Sequence, residues 1–455
     1  MGWNYTVHQL AEVIGAARPH FEAAFSAVST DTRTLRPGDV FFALSGENFD
    51  GNLFAEAALA NGAAAVVTTR TDPTKRLLTA PDPLKALQQF AAWHRAQFSI
   101  PVIAITGSCG KTTAKNMIAA VLETEYRVAK TQGNLNNEIG CPVSLLQIDA
   151  ETECAVLEMG ANHRREIAAL CAIAKPTESA ITMIGAAHLE GFGSEEQVAK
   201  AKAEIVAGLP ANGLYYVNTD NDWCARIAEE FRGRKIYFGN HGDVVLRRSA
   251  FAANGELELE IDPIGRLQLP LPIRAHVTNV LLAIAVGLQH GVTTFEGPLR
   301  AACASAARFK VRHIGPFTVL DDTYNANPIS MAAAVEALAE RPGNGQRIAV
   351  LGDMLELGNA AAGAHARIGA LAAQRGISHL IARGAHACDT INAARAAHLS
   401  HAEVIQDHQA IAQALQESAG PGDTILVKGS RGMRMEKVID ALAAIYQIDG
   451  GESSG

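Results

Sequence analysis

The segment Thr106-Gly107-Ser108-Cys109-Gly110-Lys111-Thr112-Thr113 limits what this chain can fold into more than any other stretch. An apolar run, Val102 to Thr106, leads into it, and a stretch of helical character, Ala114 to Glu123, leaves it. A buried strand, a glycine-containing loop and a helix, in that order, let backbone N–H groups and a helix N-terminus converge on an anion. Lys111 is then placed to reach β- and γ-phosphates, and the Thr112 hydroxyl to ligate Mg²⁺. The spacing is shorter than in the usual phosphate loop. There the first glycine lies six residues before the lysine, where this chain has Ile105, and Gly107 lies only four before. A plain turn is the alternative, but Gly-Lys-Thr-Thr at a strand-to-helix junction has little other use.

Such a loop belongs to a parallel α/β sheet, and the surrounding pattern agrees. Strand-like runs at Ala155 to Leu157 and Ala180 to Thr182 are separated by helical stretches. The last third alternates similarly, with strands expected at Thr318 to Leu320, Ile348 to Leu351, His379 to Ala382 and Thr424 to Val427. Helices are expected between them, for example over Ser330 to Glu340 and His408 to Glu417. The first segment, with short β-branched runs and glycine turns, ends in a linking helix near Leu84 to Gln97. A chain of 455 residues exceeds one core, so we expect three α/β units. These are a small N-terminal α/β domain over 1–98, a central P-loop-type parallel-sheet ATPase domain over 99–312, and a C-terminal Rossmann-like domain over 313–455. The polar tail after Asp449 is expected to be disordered.

Charge narrows the partners. A net charge of −8 without long Lys/Arg blocks argues against nucleic acid and anionic membranes, so any phosphate must be held locally. No apolar run is long enough for membrane insertion, and Met1 to Leu10 lacks a signal pattern. Seven cysteines without a Cys-x-x-Cys pair suit a reducing compartment, so a cytoplasmic enzyme is expected. Three self-sufficient units permit a monomer.

Two lysines on one expected helix differ in setting. Ser194 and Gln197 form a plausible start to that helix. Lys200 has Glu196 four residues before and Glu204 four after, an ion-paired solvated face. Lys202 shares its face with Val198, Ile205 and Val206, where a lysine must snorkel, pair or change chemically.

Thr-Gly-x-x-Gly-Lys-Thr-Thr resembles the Mur ligase and folylpolyglutamate synthase superfamily, and other stretches resemble the Mur ligase family in all three segments. They are Asn134-Leu135-Asn136-Asn137-Glu138-Ile139-Gly140, Leu157-Glu158-Met159-Gly160-Ala161-Asn162, Asp321-Asp322-Thr323-Tyr324-Asn325-Ala326-Asn327-Pro328 and Leu351-Gly352-Asp353-Met354-Leu355-Glu356-Leu357-Gly358. The resemblance implies a phosphate loop of Gly107, Ser108, Cys109, Gly110, Lys111, Thr112 and Thr113 for ATP. It implies Mg²⁺ sites drawing on Glu158 and His188 with Thr112, and a lysine carbamylated by CO₂, for which Lys202 fits better than Lys200. Asn279 resembles the asparagine that contacts adenine, although Ala275 stands where glycine is usual. Arg308 resembles the arginine that reaches the γ-phosphate, although it follows Ala307 where glycine is usual. Asp322 is implied to bind ribose.

Polar residues at strand ends of the last segment, including Asp353, Glu356, Lys428, Gly429 and Ser430, are expected to form one site facing the central domain. Tyr324, Asn325 and Asn327 are implied to shape the incoming peptide site there. In the first segment, Ser29, Thr30, Asp31, Thr32 and Arg33, with Asn48 and Asp50, look like uridine-diphosphate-sugar contacts. Asn52 stands where family members often have histidine.

The implied reaction joins the amine of D-alanyl-D-alanine to UDP-N-acetylmuramoyl-tripeptide through an acyl phosphate, with ATP becoming ADP, in peptidoglycan precursor synthesis. Three alternatives stand beside it. One is the Mur ligase adding lysine or diaminopimelate, which characteristically carries Asp-Asn-Pro-Arg, a tetrapeptide this chain lacks. Folylpolyglutamate synthase would leave the first segment unexplained. A P-loop switch would hydrolyse nucleotide without forming an amide.

Overall fold

The computed structural model describes residues 2–46, 49–72, 75–187, 189–252, 254–304 and 309–449. The middle of the chain builds a nine-stranded sheet. In spatial order its strands are Val128–Lys130, Cys154–Glu158, Val102–Thr106, Glu178–Ile181, Leu214–Asn218, Arg234–Gly239, Val244–Phe251, Leu257–Asp262 and Gly265–Leu269. The first seven run parallel and the last two extend the sheet antiparallel. That extension was not anticipated, although Leu257–Asp262 alternates apolar and acidic residues with the period of a half-buried strand.

Strand Val102–Thr106 is buried along its whole length, and its side chains serve two cores by the period of two that a strand imposes. Ile103 and Ile105 meet Met117, Ile118 and Leu281 of helices Lys111–Leu122 and Val277–Gln289. Val102 and Ala104 belong to the core on the other face, with Ile167, Val198 and Ile205 of helices Glu166–Ala174 and Glu195–Ala207. Helices on both faces explain why the strand reads as an unbroken apolar run. Cys154–Glu158 flanks this strand on one side and Glu178–Ile181 on the other, so it lies where the strand order reverses. The loop it feeds opens at the crevice where ligands of such sheets bind.

The first segment has a parallel four-stranded sheet, Val28–Ser29, Val40–Phe42, Ala65–Thr68 and Leu77–Thr79. The linking helix, expected over Leu84 to Gln97, runs Pro83–Arg95, with Asp82 capping its first turn. The last segment has a six-stranded sheet in the order Lys310–Ile314, Phe317–Asp322, Thr424–Lys428, Arg347–Gly352, His379–Arg383 and Ala402–Val404. Its first pair is antiparallel and the rest parallel, and each expected strand lies inside an observed one. Arg312, the expected last residue of the central unit, falls within a strand that pairs only in this last sheet.

The junction between the first segment and the central sheet is braced by buried polar side chains of the linking helix. The Arg95 guanidinium donates to the carbonyls of Ala174, Phe98 and Ile100 at 3.0, 2.5 and 3.3 Å. His94 beside it reaches the Ile148 carbonyl at 2.8 Å, and burial pulls its pKa down to about 4. Replacing Arg95 by alanine strands three carbonyls and removes a charge-assisted donor. We expect Arg95→Ala to destabilise the junction by roughly 2–3 kcal/mol, read as a lower first transition in calorimetric unfolding. Arg95→Lys should recover only part, since one ammonium cannot reach all three acceptors.

Candidate active site

The phosphate loop leaves its strand in a conformation only glycine takes without strain. Gly107 has φ 148° and Gly110 φ 84°. A Cβ on Gly107 would lie 2.0 Å from Thr182 Oγ1, and one on Gly110 2.7 Å from Asn279 Oδ1. Both glycines are therefore close approaches as well as turns. Gly110 caps helix Lys111–Leu122 in the left-handed region, and Lys111 Nζ donates to the Gly107 carbonyl at 2.7 Å. Ser108, Cys109, Gly110, Lys111 and Thr113 line a cavity of about 460 Å³. Asn279, 3% exposed, lines it beside them. Thr112 is half-buried and is not part of that lining.

Beside the loop stands the end of the neighbouring strand Cys154–Glu158, with Glu158 in register with Ile105. Glu158 is 1% exposed; its Oε1 accepts from Asn136 Nδ2 at 2.7 Å, and its Oε2 has no protein partner. A buried carboxylate oxygen left without a donor is costly unless a cation or water completes it. Asn136 in turn is held by Gly160, whose N–H donates to its carbonyl at 2.8 Å and whose missing side chain makes room for it. The Asn134–Gly140 stretch had marked the resemblance, but nothing in the sequence pointed to this bond. It joins two loops 22 residues apart.

Lys202 is buried, 1% exposed, among Val198, Ile205 and Val206. Its ammonium reaches the Ala161 carbonyl at 3.4 Å and lies 5.7 Å from the centre of the Phe192 ring. Burial, and secondarily the charge of Lys111, pull its pKa down to about 7. Lys200 is exposed and paired with Glu196 at 2.7 Å. Glu204, expected on the other side of Lys200, instead accepts from the backbone N–H groups of Arg165 and Ala168. Those are unpaired donors at the start of helix Glu166–Ala174, where a carboxylate is favoured.

The last segment closes the cavity with Asp322, Tyr324, Asn325, Asn327 and Lys428. Asp322 and Lys428 are register partners on neighbouring strands. The buried Lys428 ammonium lies 2.5 Å from Asp322 and donates to the Asn325 carbonyl at 2.9 Å. Asn325 Oδ1 accepts from Ala326 N–H at 2.9 Å. The site expected at these strand ends needs correction: Asp353, Glu356, Gly429 and Ser430 are not in the lining. The Asp353 carboxylate turns into its own domain and accepts from the N–H groups of Ala385 and His386 at 2.7 and 3.2 Å. The Glu356 carbonyl accepts from Glu190 N–H. Asp353 thus braces its own domain, whereas the Glu356 backbone touches the central unit.

The first-segment candidates lie outside this cavity. Asp31 binds Arg33 through both carboxylate oxygens, and that pairing holds its carboxyl down at about 2. Ser29 Oγ donates to the Asp31 carbonyl at 2.9 Å, and Thr30 and Thr32 are half-buried. Asp50 accepts from Ser45 Oγ and from Asn52. Asn52 also accepts from Thr68 and Thr69, so it ties this turn to the end of strand Ala65–Thr68. Asn48, His188 and Arg308 lie outside the described residues.

A glycine-bounded phosphate loop at a sheet's switch point, facing a second α/β unit across a shared cavity, defines a nucleotide-dependent two-domain enzyme. Comparison with known proteins makes the class specific. The Mur ligase family catalytic domain matches residues 24–94, the Mur ligase middle domain 105–287, and the Mur ligase, glutamate ligase domain 307–431. The chain belongs to the Mur ligase family. It is 38% identical to the UDP-N-acetylmuramoyl-tripeptide–D-alanyl-D-alanine ligase of Escherichia coli, over 96% of this chain and 98% of that protein. It superposes on a MurF crystal structure from Acinetobacter baumannii with TM-score 0.89 and 31% identity, covering 97% of this chain and 99% of that one. The MurF ligase of Thermotoga maritima, solved in complex with ADP, matches with TM-score 0.82 and 29% identity, over 93% and 98% of the two chains.

Because Gly110 touches Asn279 and has a positive φ, Gly110→Ala combines strain of about 1–3 kcal/mol with a steric clash. It should weaken ATP binding at least about tenfold, measured by calorimetry, while the far-ultraviolet spectrum stays native.

Proposed function

We propose that this chain is the ligase that adds D-alanyl-D-alanine to UDP-N-acetylmuramoyl-tripeptide, with ATP converted to ADP, in peptidoglycan precursor synthesis. The observation that carries this reading is one cavity lined both by the phosphate loop and by the Asp322–Asn327 loop. That arrangement brings a nucleotide phosphate and an incoming amine to the same space. Full-length similarity to UDP-N-acetylmuramoyl-tripeptide–D-alanyl-D-alanine ligases supports the choice of amine. A tripeptide carboxylate oxygen attacks the γ-phosphorus, and the bond to the ADP oxygen breaks. The dipeptide amine nitrogen then attacks the acyl carbon, inorganic phosphate leaves, and the amine gives up a proton. Positioning and charge stabilisation do most of this work.

ATP is assigned to Gly107, Ser108, Cys109, Gly110, Lys111, Thr112 and Thr113, with Asn279 at adenine, Asp322 at ribose and Arg308 toward the γ-phosphate. Lys428 holds Asp322 in place. Mg²⁺ fits the unpartnered Glu158 oxygen, and we assign Glu158, Thr112 and His188 to hold it. A bound metal supplies charge neutralisation on the phosphates. Lys202 is assigned as the carbamylated lysine, since a buried amine with its pKa pulled down to about 7 has a substantial neutral fraction at neutral pH, and the neutral amine attacks CO₂. The UDP-sugar is assigned to the Ser29–Arg33 and Asn48–Asp50 turns, and Tyr324 and Asn325 to the dipeptide. No helix among the described residues is long and apolar enough to cross a membrane, and we place the enzyme in the cytoplasm as a monomer.

The substrate assignment is tested with purified protein, ATP and Mg²⁺. Amide product is expected from UDP-muramoyl-tripeptide with D-alanyl-D-alanine, and little from UDP-muramoyl-dipeptide with lysine or diaminopimelate. A preference for the second pair, by product mass, would overturn it. For the lysines, Lys202→Ala should be nearly inactive and partly restored by small carboxylates, while Lys200→Ala stays near wild type. Uptake of ¹³C-bicarbonate at Lys202 should grow as pH rises through about 7, because protonation below that value blocks the attack. Equal behaviour of the two variants would remove Lys202 from the site.

A further inference from the structure

The helix Pro328–Ala339 of the last segment lies against the phosphate loop, and its cap makes a bond no peptide-site role requires. Asn327 caps this helix: its Oδ1 accepts from Ser330 N–H at 2.9 Å. Its Nδ2 donates to the Ser108 carbonyl at 3.3 Å, across 219 residues of chain. Ile329 packs so closely on Gly185 that a Cβ there would come within 2.2 Å of it. Gly185 and Ser108 are joined in turn, the Ser108 hydroxyl donating to the Gly185 carbonyl at 3.0 Å and accepting from its N–H at 3.1 Å. At the far end of the helix Glu340 pairs with Arg274 of the central unit at 2.8 Å. Both ends of one helix are thus fastened to the nucleotide-side unit.

The loop peptides show what the first fastening does. The Ser108–Cys109 peptide is trans, as only the Asp262–Pro263 bond is cis among the described residues. In a planar trans peptide the carbonyl and the N–H point opposite ways. Holding the Ser108 carbonyl toward Asn327 therefore turns the Cys109 N–H away from that side chain, and Ser108, Cys109 and Asn327 all line the one cavity. The next peptide is held the same way from inside the central unit, with Thr182 Oγ1 donating to the Cys109 carbonyl at 2.5 Å. Two consecutive N–H groups of a phosphate-binding loop are oriented through their carbonyls, one by each domain.

The geometry points to Asn327 as a positioning residue of the phosphate loop: from the C-terminal domain it sets the Ser108–Cys109 peptide, and thereby the Cys109 N–H, for the ATP phosphates. This deepens the ligase reading, on which its kinetic consequence rests, and it moves Asn327 from the peptide pocket to the nucleotide. The loop is completed only when the two domains meet, so phosphate binding and domain contact reinforce each other.

The test separates the cap from the tether. Asn327→Ser keeps a good helix cap but cannot reach Ser108, and Asn327→Asp keeps the cap acceptor while replacing the donor by a carboxylate. Calorimetric affinities are measured for Mg²⁺ with the non-hydrolysable analogue AMP-PNP, and for AMP as the adenosine control. Asn327→Ser is expected to bind AMP-PNP about fivefold to tenfold more weakly, with AMP affinity and melting temperature near wild type. Asn327→Asp should be weaker still. In turnover, the KM for ATP should rise and that for the dipeptide stay put. AMP-PNP affinity within about twofold of wild type for Asn327→Ser, equal losses for both nucleotides, or a rise in dipeptide KM alone would overturn the assignment. Wild-type protein that binds AMP-PNP but forms no amide would sink the substrate reading and leave the tether standing. Wild-type protein that fails to bind AMP-PNP would sink both.

Discussion

The structure depends on how closely backbone and side chain approach one another at the end of strand Val102–Thr106. Gly107 leaves room for Thr182 and Gly110 for Asn279, so the loop is pressed between the next strand's end and the start of helix Val277–Gln289. With a side chain at either position the loop would have to stand away from Thr182 or Asn279. The parallel sheet provides the opposing condition, because strand Val102–Thr106 is buried on both faces and cannot shift.

Around this rigid loop the fold keeps charges it could not hold in a plain core. Glu158 has one oxygen satisfied by Asn136 and one open. Lys202 lies among aliphatic side chains with one carbonyl and one ring face near its ammonium. Lys428 is fully paired, to Asp322 and the Asn325 carbonyl. A buried carboxylate oxygen without a donor and a buried amine with one long hydrogen bond are costs to a domain, while the Lys428–Asp322 pair is a self-contained brace. That contrast separates the groups prepared for chemistry from the group that holds others in place.

The domains meet through a few polar contacts, one of them at the cavity's own edge. Asn327 reaches Ser108, Glu340 reaches Arg274, and the Glu356 carbonyl receives Glu190 N–H. The two domains of the Mur ligase fold thus share a nucleotide loop. Sequestering an acyl phosphate from water calls for such an arrangement, since the loop is fully oriented only when the second domain is present.

What the sequence by itself determined was local. The strand, glycine loop and helix around Lys111 follow from periodicity and backbone freedom, and most strands of the last sheet were legible for the same reason. The burial of Lys202 was legible from its apolar neighbours at helical spacing, whereas the partner of Glu204 was not, because it comes from another helix. The antiparallel extension of the central sheet was not anticipated, although the apolar–acidic alternation of Leu257–Asp262 suits a half-buried strand; which sheet it joins is a matter of tertiary pairing. Only the tertiary structure showed that Asn136 holds Glu158, that Asp353 serves its own domain, and that Asn327 touches the phosphate loop. Those outcomes depend on which distant loop a polar side chain meets, and a hydrogen-bond partner 219 residues away leaves no periodicity in the sequence to read.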